Sequence, residues 1–170
     1  MPLKIICKKK NKHEGILLYN EKKIKCIFGF SGIGIKLREG DGVTPTGLYS
    51  FQNIYYRPDR ITSIKANIES KKILQCSGWS TDSSDSNYNK FIIKPYRFIH
   101  ENLYRRDGSY DLILALNYNY PNPKKRKGSA IFLHCSEKNK AYTEGCIAIE
   151  KVHLIELIKI ITRSSRLLIK

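Results

Sequence analysis

The stretch Gly128-Ser129-Ala130-Ile131-Phe132-Leu133-His134-Cys135-Ser136 and, after a polar loop, Thr143-Glu144-Gly145-Cys146-Ile147-Ala148-Ile149 decide how this chain reads. Ser129 to Leu133 is an apolar run led by small residues, the pattern of a buried strand that delivers His134 at its end. Glu137 to Tyr142 is polar and reads as a surface loop. Gly145 then precedes Cys146, and Ile147-Ala148-Ile149 opens a second apolar run. A Cys beside a Gly at the mouth of one strand, with a His closing another, is a way of presenting a thiol nucleophile and its base.

The residue types suit that chemistry. A free thiol titrates near ~8.5, so little is thiolate at neutral pH. A neighbouring imidazole can take the proton, hold the thiolate as an ion pair and later protonate a leaving amine. Gly145 leaves room for a substrate carbonyl, and the N–H groups of Gly145 and Cys146 are candidate oxyanion donors. A backbone carbonyl near Cys135 is the candidate that orients the imidazole. From spacing alone a lone Cys in an Ile-rich run is more often a buried core residue than a catalyst, since cysteine is among the most buried types.

Working outward, most of the chain reads as short strands. Lys4 to Cys7 is a first strand; Gly15 to Tyr19 and Ile24 to Phe28 flank a hairpin turn at Asn20-Glu21-Lys22-Lys23. Gly40 to Gly47, with Pro45, reads as a tight turn. Leu48 to Tyr56, Lys71 to Cys76, Tyr110 to Leu116 and Arg166 to Ile169 read as further strands. Phe98 to Tyr104 reads as a short helix, and its His100 and Glu101 lack a nucleophile nearby in sequence. Lys151 to Thr162 has apolar residues at Val152, Ile155, Ile158 and Ile161, a helical spacing. The fold class is therefore mainly β: one domain over residues 1–170, a curved sheet or β-sandwich with a few short helices. Ser77 to Asn89 reads as a long polar loop, often a binding loop in a compact domain. In it Trp79 and Tyr88 read either as aromatics that pack on substrate or as plugs of the core, and Asp82 as a partner for a substrate amine.

Composition bounds the partners. The 170 residues suit one domain with a real core. Thirty-one basic against 15 acidic residues give a net charge of +16, which draws the chain weakly to anionic wall polymer or membrane surface. Nothing resembles a nucleic-acid recognition motif, so no nucleic-acid partner is expected. Five cysteines without close pairs make neither a zinc site nor a disulfide framework. No metal or organic cofactor is expected, nor an oligomer. No run approaches the roughly 18 apolar residues of a membrane-spanning helix. The patch Leu3 to Cys7, followed by Lys8-Lys9-Lys10, lacks the order of a signal peptide.

Three segments in order carry a resemblance to a known family. His134 with Thr143-Glu144-Gly145-Cys146-Ile147 is similar to a strand ending in His followed by Ser/Thr-His-Gly-Cys. Gly40-Asp41-Gly42-Val43-Thr44-Pro45-Thr46-Gly47-Leu48-Tyr49 resembles a Thr-Pro-x-Gly-x-Phe/Tyr segment. Trp79-Ser80-Thr81-Asp82 with Tyr88-Asn89 resembles an Asp-x-x-Tyr-Asn region. Together they resemble the YkuD-type L,D-transpeptidases over about Gly29 to Ile149. The resemblance implies Cys146 as nucleophile, His134 as base, and substrate contacts from Trp79, Asp82, Tyr88, Asn89 and Thr143. It implies peptidoglycan stem peptides as substrate, a thioester acyl-enzyme, release of the terminal D-residue, sensitivity to carbapenems, and a periplasmic or envelope location. L,D-carboxypeptidation of the same substrate and a non-catalytic wall-binding module are the alternative functions. Two positions depart from the commoner pattern: Glu144 stands where many members carry His, and Ala148 where many carry Arg. The contacts of that Arg are not carried over.

Overall fold

The computed structural model describes residues 4–170, so Leu3 of the N-terminal patch lies outside the described residues. Strands Lys4–Lys9 (β1), Glu14–Tyr19 (β2) and Lys22–Ile27 (β3) form an antiparallel meander. Asn20 and Glu21 turn the second hairpin with φ of 43° and 64°, the left-handed pair a tight hairpin with right-twisted strands requires. Along β2 burial alternates, with Gly15, Leu17 and Tyr19 inward, as a half-buried strand should.

The chain continues through Gly32–Gly34 (β4), Val43–Pro45 (β5), Gly47–Tyr56 (β6), Ser70–Lys72 (β7), Ser77–Ser80 (β8), Phe91–Ile93 (β9) and His100–Asn102 (β10). Leu112–Leu116 (β11), Phe132–Cys135 (β12), Ile147–Ile149 (β13), helix Lys151–Ile160 (α1) and Arg166–Ile169 (β14) complete it. The large sheet runs β11-β12-β13-β3-β2-β1-β14-β6-β7, and β6 also pairs with β11. That extra pairing closes the strands from β11 to β6 into a ring. The long strand β6 manages it by pairing β14 through its first residues and β11 through its later ones. A closed ring leaves few exposed edges.

Inside the ring lies one apolar cluster, including Leu17, Phe28, Leu112, Leu114, Leu133, Ile147 and Ile149. Helix α1 caps it with Leu154, Leu157 and Ile158. A buried side chain of this size contributes about 1.5–3 kcal/mol. The helical spacing read from the sequence is present, but its stripe is rotated: Val152 is exposed and Leu154 and Leu157 face in. Strand β11 is buried on both faces. Its outer face, with Ile113 and Ala115, joins Trp79, Tyr110, Phe132 and Cys146 in a second cluster, beneath a small sheet ordered β10-β8-β9.

Two expectations need correction here. Phe98 to Tyr104 is not helical; His100–Asn102 pairs β8, with Glu101 opposite Trp79, and Leu103 is fully buried. Ladder bonds and that burial outweigh the local helical pattern. Helix α1 is the one α-helix among the described residues. The Ser77 to Asn89 stretch is not all loop either, because its first four residues are β8 and buried.

Candidate active site

The site forms where β12 and β13 lie side by side, parallel, with His134 opposite Ala148 and Leu133 opposite Ile147. Side chains alternate along a strand. Leu133, Cys135, Ile147 and Ile149 therefore enter the core inside the ring, while Phe132 and Cys146 join the outer cluster. His134 and Ala148 keep the same parity and line a cleft of about 690 Å3 with Cys146.

The Cys146 sulfur is bracketed by backbone. Its S–H donates to the Ala130 carbonyl at 3.1 Å, and the Phe132 N–H donates to the sulfur at 3.3 Å. Ala130 reaches it from a left-handed conformation, φ 52°, which costs a non-glycine residue about 1–2 kcal/mol. Asn89 holds that conformation. Its Oδ1 accepts from the Ala130 N–H at 3.0 Å and the Trp79 indole N–H at 3.1 Å, and its Nδ2 donates to the carbonyls of Tyr118 and Asn119. All four hydrogen-bonding positions of the amide are thereby used.

His134 is buried, and its Nδ1 lies 2.9 Å from the Cys135 carbonyl. A carbonyl only accepts, so the neutral ring carries its proton on Nδ1 and its Nε2 lone pair is left to act as a base. The Tyr110 ring meets the imidazole edge-on, centroids 5.2 Å apart. The Tyr110 hydroxyl donates to Glu101, and the Arg105 guanidinium lies 4.9 Å over the Tyr110 ring. The sequence reading kept His100 and Glu101 away from a nucleophile; the structure brings both into the wall of the Cys146 cleft.

Burial governs the charges. It holds the His134 imidazolium down to about 4 and pushes the Cys146 thiol up to about 12, the latter reinforced by Glu101 and opposed by the Phe132 N–H and Lys36. Burial also raises the Glu101 carboxyl, although the Tyr110 hydroxyl works the other way. The resting pair is a neutral thiol and a neutral imidazole rather than the thiolate–imidazolium pair expected from the residue types.

The turn before Cys146 is pinned from several sides. Gly145 has φ 138° and a side chain there would meet the Val43 carbonyl at 3.0 Å, so glycine is required. Its carbonyl accepts from the Thr44 hydroxyl at 2.9 Å. Thr143 donates its hydroxyl to the Cys146 carbonyl at 2.6 Å and accepts the Gly145 N–H at 3.2 Å. The Gly145 N–H is thus engaged within the turn. The Gly145 turn leaves Glu144 exposed on the cleft rim.

The remaining candidates are dispersed. Trp79 is buried against Phe132, ring centroids 5.0 Å apart. The Tyr88 ring is buried and its hydroxyl donates to Glu39 at 2.6 Å. Neither lines the cleft. Asp82 lies in a separate shallow depression, its carboxylate accepting from Ser84 and the Ile99 N–H. Tyr110, Arg105 and Lys36 are at the site without a signal in the sequence, since each comes from a segment that carries no motif of its own or, for Lys36, from just before one. Ala130 lies in the deciding stretch, but its part at the sulfur depends on a left-handed backbone that the sequence does not announce.

The family model of the YkuD L,D-transpeptidase catalytic domain matches residues 5–169, and the chain belongs to that family. Its members are L,D-transpeptidases, acyltransferases of peptidoglycan. Among solved structures, the chain is similar to an L,D-transpeptidase from Mycobacterium smegmatis, with 8% identity and a TM-score of 0.44. That similarity covers 99% of this chain, which spans 58% of the other. No curated protein matches the sequence.

Proposed function

We propose that this chain is a cysteine acyltransferase that acts on peptidoglycan stem peptides in the cell envelope. The observation that carries the reading is the pairing of β12 with β13, which sets Cys146 and the His134 imidazole on one face of one cleft. Nε2 of His134 takes the thiol proton as the sulfur attacks the carbonyl joining the L-centre of a diamino acid to the terminal D-residue. Proton transfer accompanies attack, because neither charged partner is stable alone in so buried a site. The Cys146 N–H is the donor for the oxyanion, Gly145's being engaged by Thr143. The imidazolium then protonates the leaving amine and the D-residue departs. A thioester remains on Cys146. An acceptor amine resolves it by transpeptidation, or water by L,D-carboxypeptidation, with His134 again taking the proton. Thr143 and Asn89 serve this chemistry by holding the backbone around the sulfur, Trp79 by packing against Phe132 beneath it, and Tyr88 by accepting the Gly128 N–H at the start of the stretch that carries Ala130. The net positive charge favours weak association with anionic wall polymer, and the working unit is a monomer.

Mass spectrometry of the protein incubated with a tetrapeptide stem tests the reading. The expected result is an acyl group on the Cys146 peptide, free D-residue, and, with an added amine, a new cross-link. The same acyl group on Cys146→Ser, or none on the wild type, overturns it.

A further inference from the structure

One wall of the cleft carries donors that the described residues do not use. Lys36 is a lysine whose side chain is only 2% exposed. Its stem lies against Gly128, where a Cβ would meet Lys36 Cε at 2.5 Å, and its Nζ lies 3.6 Å from where a Gly145 Cβ would be. One proton of the ammonium is taken by Asp41 Oδ1, at 2.5 Å. Asp41 is itself fixed by the N–H groups of Leu37, Arg38 and Val43. Although burial opposes it, this set of partners holds the Asp41 carboxyl down to about 2. An ammonium has three donors, so Lys36 arrives with its charge anchored and donors left over.

Beside it, Ser129 is 95% buried, at 5% relative exposure, and lines the same cleft. Its Oγ has no hydrogen-bond partner among the described residues. A buried hydroxyl left so is costly unless something that enters the site satisfies it. Ser129 directly precedes Ala130, whose carbonyl touches the Cys146 sulfur, and Gly145 directly precedes Cys146. Both groups therefore stand about one residue from the reacting atom. Glu39, the carboxylate of this wall, is turned onto the Tyr88 hydroxyl.

We propose that Lys36 and Ser129 form a subsite for the C-terminal carboxylate of the departing D-residue. The proposal rests on the acyl-transfer reading above. In the donor peptide that carboxylate lies one residue beyond the carbonyl under attack, the separation between the subsite and the sulfur. The cation fixes which peptides enter: a free C-terminus is drawn in, and a chain that continues or is amidated is not.

The test uses two tetrapeptide donors alike except for a C-terminal carboxylate or carboxamide, with release of the D-residue or its amide as readout. Wild type is expected to favour the carboxylate by roughly ten- to hundredfold in kcat/KM, the worth of a charged hydrogen bond. Lys36→Met should remove most of that preference by lowering the rate on the carboxylate donor far more than on the carboxamide. Lys36→Arg should keep part of the preference, and Ser129→Ala, which leaves the Lys36–Asp41 pair intact, should narrow it. Equal use of both donors by wild type, or a parallel loss on both in Lys36→Met and Ser129→Ala, overturns the subsite. Binding of the two peptides to Cys146→Ser by calorimetry reads the subsite without turnover. Tighter binding of the carboxylate peptide supports it, and equal binding overturns it even where acyl transfer itself fails.

Discussion

Cys135 and Cys146 make an instructive pair. Cys135 closes one short apolar run and Cys146 opens the next, both are buried, and burial pushes both thiols up to about 12. Yet Cys135 sits in the core inside the ring, its sulfur 3.8 Å from the Leu112 carbonyl. Cys146 lies on the outer face, against a cleft that also holds the imidazole. The difference comes from strand parity: His134 and Cys135 are adjacent and so face opposite ways, and parallel pairing with β13 carries Cys146 to the His134 side. Thiol acidity does not separate the two cysteines; the face they occupy does.

The largest effect expected breaks the pair apart. Cys146→Ser should lower acyl transfer by at least about a thousandfold and leave the fold intact, because a hydroxyl is far the weaker nucleophile. Cys135→Ser should retain activity and lose about 1–3 kcal/mol of stability for a hydroxyl placed in an apolar core. Kinetics and urea melts of both variants check this; comparable activity loss in the two would remove the distinction of faces.

Next in size is Asn89. Asn89→Ala strips partners from the buried N–H groups of Ala130 and Trp79 and frees Ala130 from its left-handed conformation. A stability loss of about 3 kcal/mol is expected, with acyl transfer down by about a hundredfold as the sulfur loses its seat. Asn89→Asp keeps the acceptor and should recover part of both. Unchanged kinetics in Asn89→Ala would show that the Ala130 carbonyl does not seat the thiol.

The imidazole gives a pH test. In the proposed mechanism His134 works as a base only when neutral, and burial holds its folded value down to about 4. The acid limb of kcat/KM should therefore fall near 4, tenfold per unit below it, rather than near 6.5. Unfolded, the same group takes up its proton near ~6.5. Its contribution to stability is complete above 6.5 and lost as pH falls toward 4, by about 3 kcal/mol. His134→Gln should flatten this part of the stability profile; an unchanged slope between those pH values would place the titration elsewhere.

The smallest effect concerns Glu144, whose charge raises the Cys146 thiol from the rim. Glu144→Gln should speed Cys146 alkylation slightly and leave turnover within about tenfold, about 1.4 kcal/mol of barrier. Cys135, on the far face, should not respond. A loss of several powers of ten with the protein folded would make Glu144 a direct partner in proton transfer.

Much of this was legible in the sequence because it depends on local pattern. The β12 run, the α1 spacing and the glycine before Cys146 each carry a period or a backbone demand that reads without tertiary knowledge. What was not legible is what the ring brings together. Glu101 and Tyr110 look like ordinary residues of separate segments; the turn into β11 sets Tyr110 against His134, and β10 pairing brings Glu101 to the Tyr110 hydroxyl. Trp79 and Asn89 sit in a polar stretch that reads as a binding loop, and only their mutual hydrogen bond and the Phe132 contact reveal a support beneath the site. Lys36 shows no periodicity and gains meaning from Asp41, Gly128 and Gly145, which lie on three different loops.

The closure of the ring sets an order on folding. Strand β14 lies between β1, which it pairs in parallel, and β6, so residues 166–169 bridge the first strand and a middle one. A ribosome releasing this chain delivers β1 and β6 long before the strand that joins them. Until residue 169 is free, both keep an unpaired edge, the kind of surface on which nascent chains aggregate. With the closing contact spanning nearly the whole described chain, folding should be slow for the domain's size. Truncation after 165 should yield an insoluble product rather than a weakened enzyme.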